Sequence, residues 1–348
     1  MIENTFLDKF YTDRNIKENT RKGYSSAIKK YVEFHDEKLD LLIFEAQDDE
    51  KKNVLLKNRN IKTRLLSFRN YLFTTELSNN TIKTYLSRIK TFYKHYEIEI
   101  PELPPAKYNI EYETSYLDIP SKEDIKKVLD ISPLKLKALI LFMTSSGTAK
   151  AETLSLSIKD FLLGVSEYCN YDGDLYSTLN QLKDKNNIIP TFYIKRQKTD
   201  KYYYTFCSSE ATDAIIEYLL SRKLLNENDK LFPFSDSYVI NTFQKINDDM
   251  GWGFRGKYRY FRSHSLRKFH ASNIGLSAEY VDMLQGRSKS PIHETYIKTN
   301  PNELKKIYKN AMHNILIYSN SNKDFDVNQE KINITINIFI SDTQYNLI

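Results

Sequence analysis

Apolar positions recur at helical spacing through most of the chain and alternate in two stretches. In "NTRKGYSSAIKKY", from Asn19, and "NTIKTYLSRIKTF", from Asn80, the sets Tyr24, Ile28, Tyr31 and Tyr85, Ile89, Phe92 each fall on one face of a 3.6-residue period. At an offset of 61 the two stretches share Asn, Thr, Lys, Tyr, Ser, Ile and Lys, and each reads as a capped helix start. The pattern predicts a helical domain of four or five helices over residues 1–100, with a weak internal duplication. "EIPELPPAKYNIEYETSYLDIPSKED" then carries no sustained period, and its prolines favour an extended linker over 101–115. Ser121 with Asp124 three residues on forms a capping pair, so a second domain is expected over 116–318.

Within that domain, "KLKALILFMTSSG" predicts a buried helix closed by Gly147, and "KAETLSLSIKDF" continues on a new one. "IIPTFYIKRQKTDKYYYTF" is rich in β-branched and aromatic residues and predicts two strands around a turn at Thr199 to Lys201. Helices are then expected over roughly 209–224, 236–250, 264–275, 277–286, 291–299 and 301–318. The tail, 319–348, alternates Ile332, Ile334, Ile336, Ile338 and Ile340, which predicts a strand that pairs with this domain or with a neighbouring protomer. The expected class is mainly α with a small antiparallel β-sheet.

Composition sharpens this in one respect. A length of 348 residues favours two domains, and a net charge of +6 says little by itself, but its distribution is uneven. Lys51 to Lys94 holds eleven Lys or Arg against one acid, Glu76, and Arg255 to His270 holds six with no acid, interleaved with Phe254, Tyr258, Tyr260, Phe261 and Phe269. A solvated helix face explains either cluster alone; the two together point to a nucleic-acid partner. Cations opposite the apolar faces, Arg21, Lys22, Lys83, Arg88 and Lys90, together with Arg262, are candidate phosphate contacts. Two cysteines, Cys169 and Cys207, make no disulfide framework, and six histidines offer no metal-ligand spacing. With no long apolar run, no membrane association is expected and a cytoplasmic protein is.

Candidate chemistry lies near the C-terminus. "RSHSLRKFHASN" sets His264 and Arg267 three apart on one helical face, "LQGR" brings Arg287, and "ETYIK" carries Tyr296 nine residues later. In this order the motifs resemble the tyrosine recombinase, or phage integrase, family, closest to its archaeal-type members. "KRQKTDKYYYTF" resembles that family's β-hairpin, with Lys198 as its lysine, and "SSGTAKAETLSL" resembles the box that reads Thr-Gly-x-Arg-x-x-Glu-x-x-x-Leu. The resemblance spans residues 6 to about 318. It implies an N-terminal helical core-binding domain, a catalytic domain, and a linker that crosses double-stranded DNA. Protomers would assemble as a tetramer on two sites.

The implied reaction cuts and rejoins DNA through a 3′-phosphotyrosine, without metal or ATP. Tyr296 would be the nucleophile. Arg267 and Arg287 would neutralise charge on the nonbridging oxygens, a role that suits planar guanidinium donors. A phenol is protonated at neutral pH and needs a base, for which His264 is the candidate. Lys198 would protonate the leaving 5′ oxygen, with Lys201 as its substitute. Integration or excision of a mobile element or provirus would be the outcome. One departure matters: Ala149 stands where the box has its arginine, so either Lys150 serves as the cation or that arginine is lost. A catalytically impaired DNA-binding protein and a type IB topoisomerase-like nicking enzyme are the alternatives. Glu152 is read as the structural partner of a nearby cation, His270, His293 and Tyr308 as packing or surface residues.

Overall fold

A computed structural model describes residues 5–108, 112, 113, 115–287 and 300–318. The chain divides into two compact units, Met1–Glu113 and Thr114–Ile348. The expected strand in the Ile-rich tail and the expected helix over 291–299 lie outside the described residues.

The first unit is helical: α1 (Thr5–Asp13), α2 (Glu18–His35), α3 (Leu39–Lys51), α4 (Asn60–Thr74) and α5 (Asn79–His95). Tyr24, Ile28 and Tyr31 of α2 and Ile82, Leu86, Ile89 and Phe92 of α5 are buried in a common core with Phe10 and Phe68. The two similar stretches are therefore packing partners. Arg88 reaches from α5 to the Gly23 carbonyl of α2 at 2.9 Å, through space that a Cβ on Gly23 would occupy at 2.4 Å from the guanidinium. Of the two expected capped starts, that of α5 is present, with Ser78 accepting from the Thr81 N–H, whereas Lys17 precedes α2 with no side-chain cap. The start of the proline-rich segment docks on this unit: Leu103 and Tyr108 pack against its core and Arg69 donates to the Pro104 carbonyl at 2.6 Å.

The second unit is built around α7 (Leu134–Ser146), whose residues from Ala138 to Ser146 are all buried. An apolar sequence on every side of a helix requires cover on every side. The surrounding elements are α6 (Lys122–Ile131), α8 (Lys150–Ser155), α9 (Ile158–Gly164), α10 (Leu175–Lys183), the antiparallel pair β1 (Thr191–Lys195) and β2 (Tyr202–Phe206), α11 (Ser209–Leu220), α12 (Asp236–Asp249), the ribbon β3 (Phe254–Arg255) and β4 (Tyr258–Arg259), α13 (Ser263–Asn273), α14 (Ala278–Leu284) and α15 (Pro301–Ala311). The class is mainly α with small antiparallel sheets, as expected. Among the described residues no helix is long and apolar enough to cross a membrane.

Local chemistry sets the breaks. Ser121 and Asp124 form the expected reciprocal cap of α6, and Gly147 ends α7 at φ +64°. "KAETLSLSIKDF" is two helices rather than one, because Ser157 and Asp160 form a second reciprocal cap that starts α9. The last expected helix stops at Ala311 and tightens into a 3₁₀ turn over Met312–Ile315.

Burial holds two histidines neutral at pH 7, His270 fully enclosed and His35 half-buried. His270 on α13 is 0% exposed, and burial, with Arg267 and Arg287 adding repulsion, pushes its pKa down to about 3. Burial and Arg64 lower His35 in the first unit to about 4. The unfolded chain titrates these groups near 6.5, so their contribution is complete above that value and is lost as pH falls toward 3 to 4. We predict that the urea midpoint of the second unit falls between pH 7 and pH 5, and that the apolar replacement His270→Met flattens the dependence. An unchanged slope in the variant would remove His270 as its source.

Candidate active site

The site is assembled by a buried guanidinium. α13 begins at an extended Arg262, whose N–H donates to Ser265 Oγ at 3.0 Å, and the helix then carries His264 and Arg267 one turn apart. Arg267 is 7% exposed. Its two terminal nitrogens donate to the Gly147 and Gln285 carbonyls, each at 2.7 Å, and Glu152 Oε2 lies 3.9 Å away. One side chain thus ties the end of α7 and the turn after α14 to α13. Gln285 returns the contact, with Nε2 donating to the Arg267 carbonyl at 3.1 Å and to His270 Nδ1 at 3.0 Å. A buried charge is tolerated only with such partners.

Glu152, itself buried, organises the opposite side. Its Oε2 accepts from the Ala149 N–H at 3.1 Å and from the Tyr203 hydroxyl at 3.0 Å. It is the structural partner of a cation, as the sequence suggested. Burial first, and then the Glu152 charge, hold the Tyr203 phenol well above its usual range, so it remains a donor. The Tyr203 ring lies where Gly286 has no side chain: a Cβ there would meet the ring at 2.4 Å, and φ is +59°.

The structure places the expected site residues differently. His264, Arg267 and Arg287 share one neighbourhood. His264 keeps open surface, yet partial burial and then Arg262, Lys268, Arg267 and Arg287 lower its pKa, so the imidazole is neutral at pH 7 and able to accept a proton. Arg287 is exposed, and its guanidinium donates to Asp282 Oδ1 at 3.2 Å. Lys198 lies exposed on the turn between β1 and β2. Lys150 forms an ion pair with Asp236 of α12 at 2.7 Å. Tyr296 and His293 lie outside the described residues. Tyr308 is core: 0% exposed, with its hydroxyl on the Ser145 carbonyl at 2.9 Å.

The other basic positions divide between structure and open surface. Arg21 donates to the Ile16 carbonyl at 2.8 Å and Arg88 to that of Gly23, while Lys22 and Lys83 are exposed, with Lys83 over the Tyr108 ring. Lys90 lines a cleft with Arg69 and Lys94, and partial burial followed by those two cations lowers its pKa. Among the described residues no acid lines that cleft, which suits it to a polyanion. In the second unit Arg262 stacks over Tyr258, 4.2 Å from the ring centre.

No family model matches the chain. The TnP I resolvase of Bacillus thuringiensis is 23% identical over 322 residues, covering 86% of this chain and 95% of that protein. The XerH site-specific recombinase bound to difH superimposes with a TM-score of 0.52 at 18% identity, over 86% of this chain and 82% of that one. A lambda integrase tetramer bound to a Holliday junction gives 0.51 at 15% identity, over 84% and 75%. The fold is that of the tyrosine recombinases.

Within this tyrosine-recombinase fold, the sequence reading missed Arg196, Tyr203 and Gln285. Arg196 donates to the Gly286 carbonyl, one peptide along from the carbonyl that holds Arg267. A signal for it existed in the alternation of β1, where Phe192 and Ile194 are buried and Arg196 continues their parity. Tyr203 and Gln285 carried none, because their roles depend on what lies opposite in space. We predict that Gly286→Ala, which must displace Tyr203 and adopt a left-handed backbone, costs ~2–4 kcal/mol in denaturant unfolding. A loss below ~0.5 kcal/mol would contradict the packing described.

Proposed function

We propose that the chain is a site-specific tyrosine recombinase that cuts and rejoins double-stranded DNA through a 3′-phosphotyrosine at Tyr296. The observation that carries the reading is the Arg267 node, where three separate segments meet: the HSLR helix, the box that holds Gly147 and Glu152, and the LQGR turn. These are the segments on which the family resemblance rests, and a guanidinium held by two carbonyls is preorganised to meet phosphate charge without reorganising.

In the proposed reaction the Tyr296 oxygen attacks phosphorus in line with the 5′ oxygen. The phenolic proton passes to His264, the P–O5′ bond breaks as the P–O bond to tyrosine forms, and Lys198 protonates the departing 5′ oxygen. Arg267 and Arg287 neutralise the charge that builds on the nonbridging oxygens. The phosphotyrosine keeps the energy of the phosphodiester, so a 5′ hydroxyl from another strand reverses the step and reseals DNA without ATP. The exposed Lys22 and Lys83 and the half-buried Lys90 of the first unit, with Arg262 of the second, would contact the backbone. A tetramer is the form captured for lambda integrase on a Holliday junction, and a four-protomer complex on two DNA sites, acting in the cytoplasm, is proposed here on that likeness. The archaeal-type affinity is proposed from the HSLR, LQGR and ETYIK motifs.

The test uses a pool of nicked duplexes with a randomised core. We expect an SDS-resistant protein–DNA adduct that enriches one sequence and is absent with Tyr296→Phe. Binding without any adduct would identify a noncatalytic DNA-binding protein. Relaxation of supercoiled plasmid irrespective of sequence would identify a topoisomerase-like enzyme.

A further inference from the structure

The box that supplies an arginine in the resembled family has Ala149 here, and Lys150 beside it is committed to Asp236 at 2.7 Å. A reaction that builds charge on two nonbridging oxygens is then short of one cation. We propose that Arg196, from the end of β1, supplies the phosphate-facing guanidinium that the Ala149 position lacks.

Three observations on the second unit carry this assignment, which rests on the recombinase reading above. Arg196 and Arg267 donate to consecutive carbonyls, Gly286 and Gln285, and Arg287 follows in sequence, so three guanidinium-bearing residues converge on one turn. The hairpin geometry fixes the direction of the side chain. The Arg196 N–H donates to the Lys201 carbonyl at 2.7 Å, its own carbonyl accepts from Asp200 at 2.9 Å, and Asp200 closes the bend at φ +57°. With that backbone pinned, alternation sends Arg196 to the face of Phe192 and Ile194, whereas Lys195 lies on the other face and pairs with Asp200 at 3.3 Å. The third observation is electrostatic. Arg196 is close enough for its charge to act on both Arg267 and Tyr203.

The substitution moves the cation from a helix start to a strand end. Unlike the Lys150 ammonium, a guanidinium keeps planar paired donors for two phosphate oxygens. One of them holds the Gly286 carbonyl and so aims the remainder.

The test measures the rate of adduct formation on the duplex recovered from the randomised pool, made with an ordinary phosphate or a methylphosphonate at the cleaved position. A methylphosphonate lacks the nonbridging charge that Arg196 would neutralise. On phosphate, Arg196→Ala is expected to react about 10²- to 10³-fold more slowly than the wild type, with Arg196→Lys in between. On methylphosphonate the gap is expected to shrink to under about tenfold. A gap of equal size on both substrates overturns the assignment, because Arg196 would then act only by supporting the turn. A greater loss in Lys150→Ala than in Arg196→Ala also overturns it, in favour of lysine. Arg196→Lys retains charge and a donor for the Gly286 carbonyl, so it reports on chemistry if the alanine variant fails to fold. Absence of any adduct from the wild type removes the recombinase reading itself, an outcome distinct from wild-type activity that survives loss of Arg196.

Discussion

A guanidinium cannot be buried without partners, and this constraint at Arg267 shapes the second unit. Leaving such a charge unpaired would cost several kcal/mol, and the chain meets it with two backbone carbonyls and a carboxylate from segments 120 and 18 residues distant, as well as from the Glu152 helix. The carbonyls are available because both segments end helices: Gly147 closes α7 and Gln285 closes α14, where backbone acceptors have no intrahelical donor. The same interaction therefore caps two helices and aligns a third. It also places a positive charge where the HSLR, box and LQGR motifs meet.

The consequences spread outward through polar contacts more than through apolar ones. Gln285 links Arg267 to the buried His270, whose Nδ1 sits where a side chain on Gly147 would lie. Glu152 links Arg267 to Tyr203, whose ring needs the bare Gly286. Two glycines in left-handed conformation, at the C-termini of two different helices, thus make room for the residues that hold the arginine. Such a network has few tolerated alternatives, since each member satisfies another. Surface cations, by contrast, are interchangeable in kind, and the first unit mixes arginines consumed in helix packing with lysines left open.

Much of this was legible in the sequence because it depends on local rules. The Ser121–Asp124 cap, the Gly147 terminus, the β1–β2 hairpin and the one-turn spacing of His264 and Arg267 each follow from residues within four or five positions. The break at Ser157 was missed for want of reading a second capping pair inside an apolar run. The β3–β4 ribbon, two residues on each side, is too short to show a period. The part proposed for Arg196 was hidden for another reason: Ala149, standing where the resembled box has arginine, pointed to its neighbour in sequence, whereas the guanidinium at the Gly286 turn comes from the end of a strand 47 positions later. Strand parity held that information, but its destination, the Gly286 carbonyl, is a matter of tertiary packing.

In the proposed reaction Arg267 anchors a DNA phosphate, with tyrosine chemistry built around it. The most direct measurement is a structure of the chain trapped covalently on nicked DNA. A nonbridging oxygen of the attached phosphate is expected within hydrogen-bond distance of the Arg267 guanidinium, with His264 and Arg287 beside it. A phosphate bound away from Arg267, with that guanidinium still enclosed by the Gly147 and Gln285 carbonyls and out of contact with DNA, would contradict it.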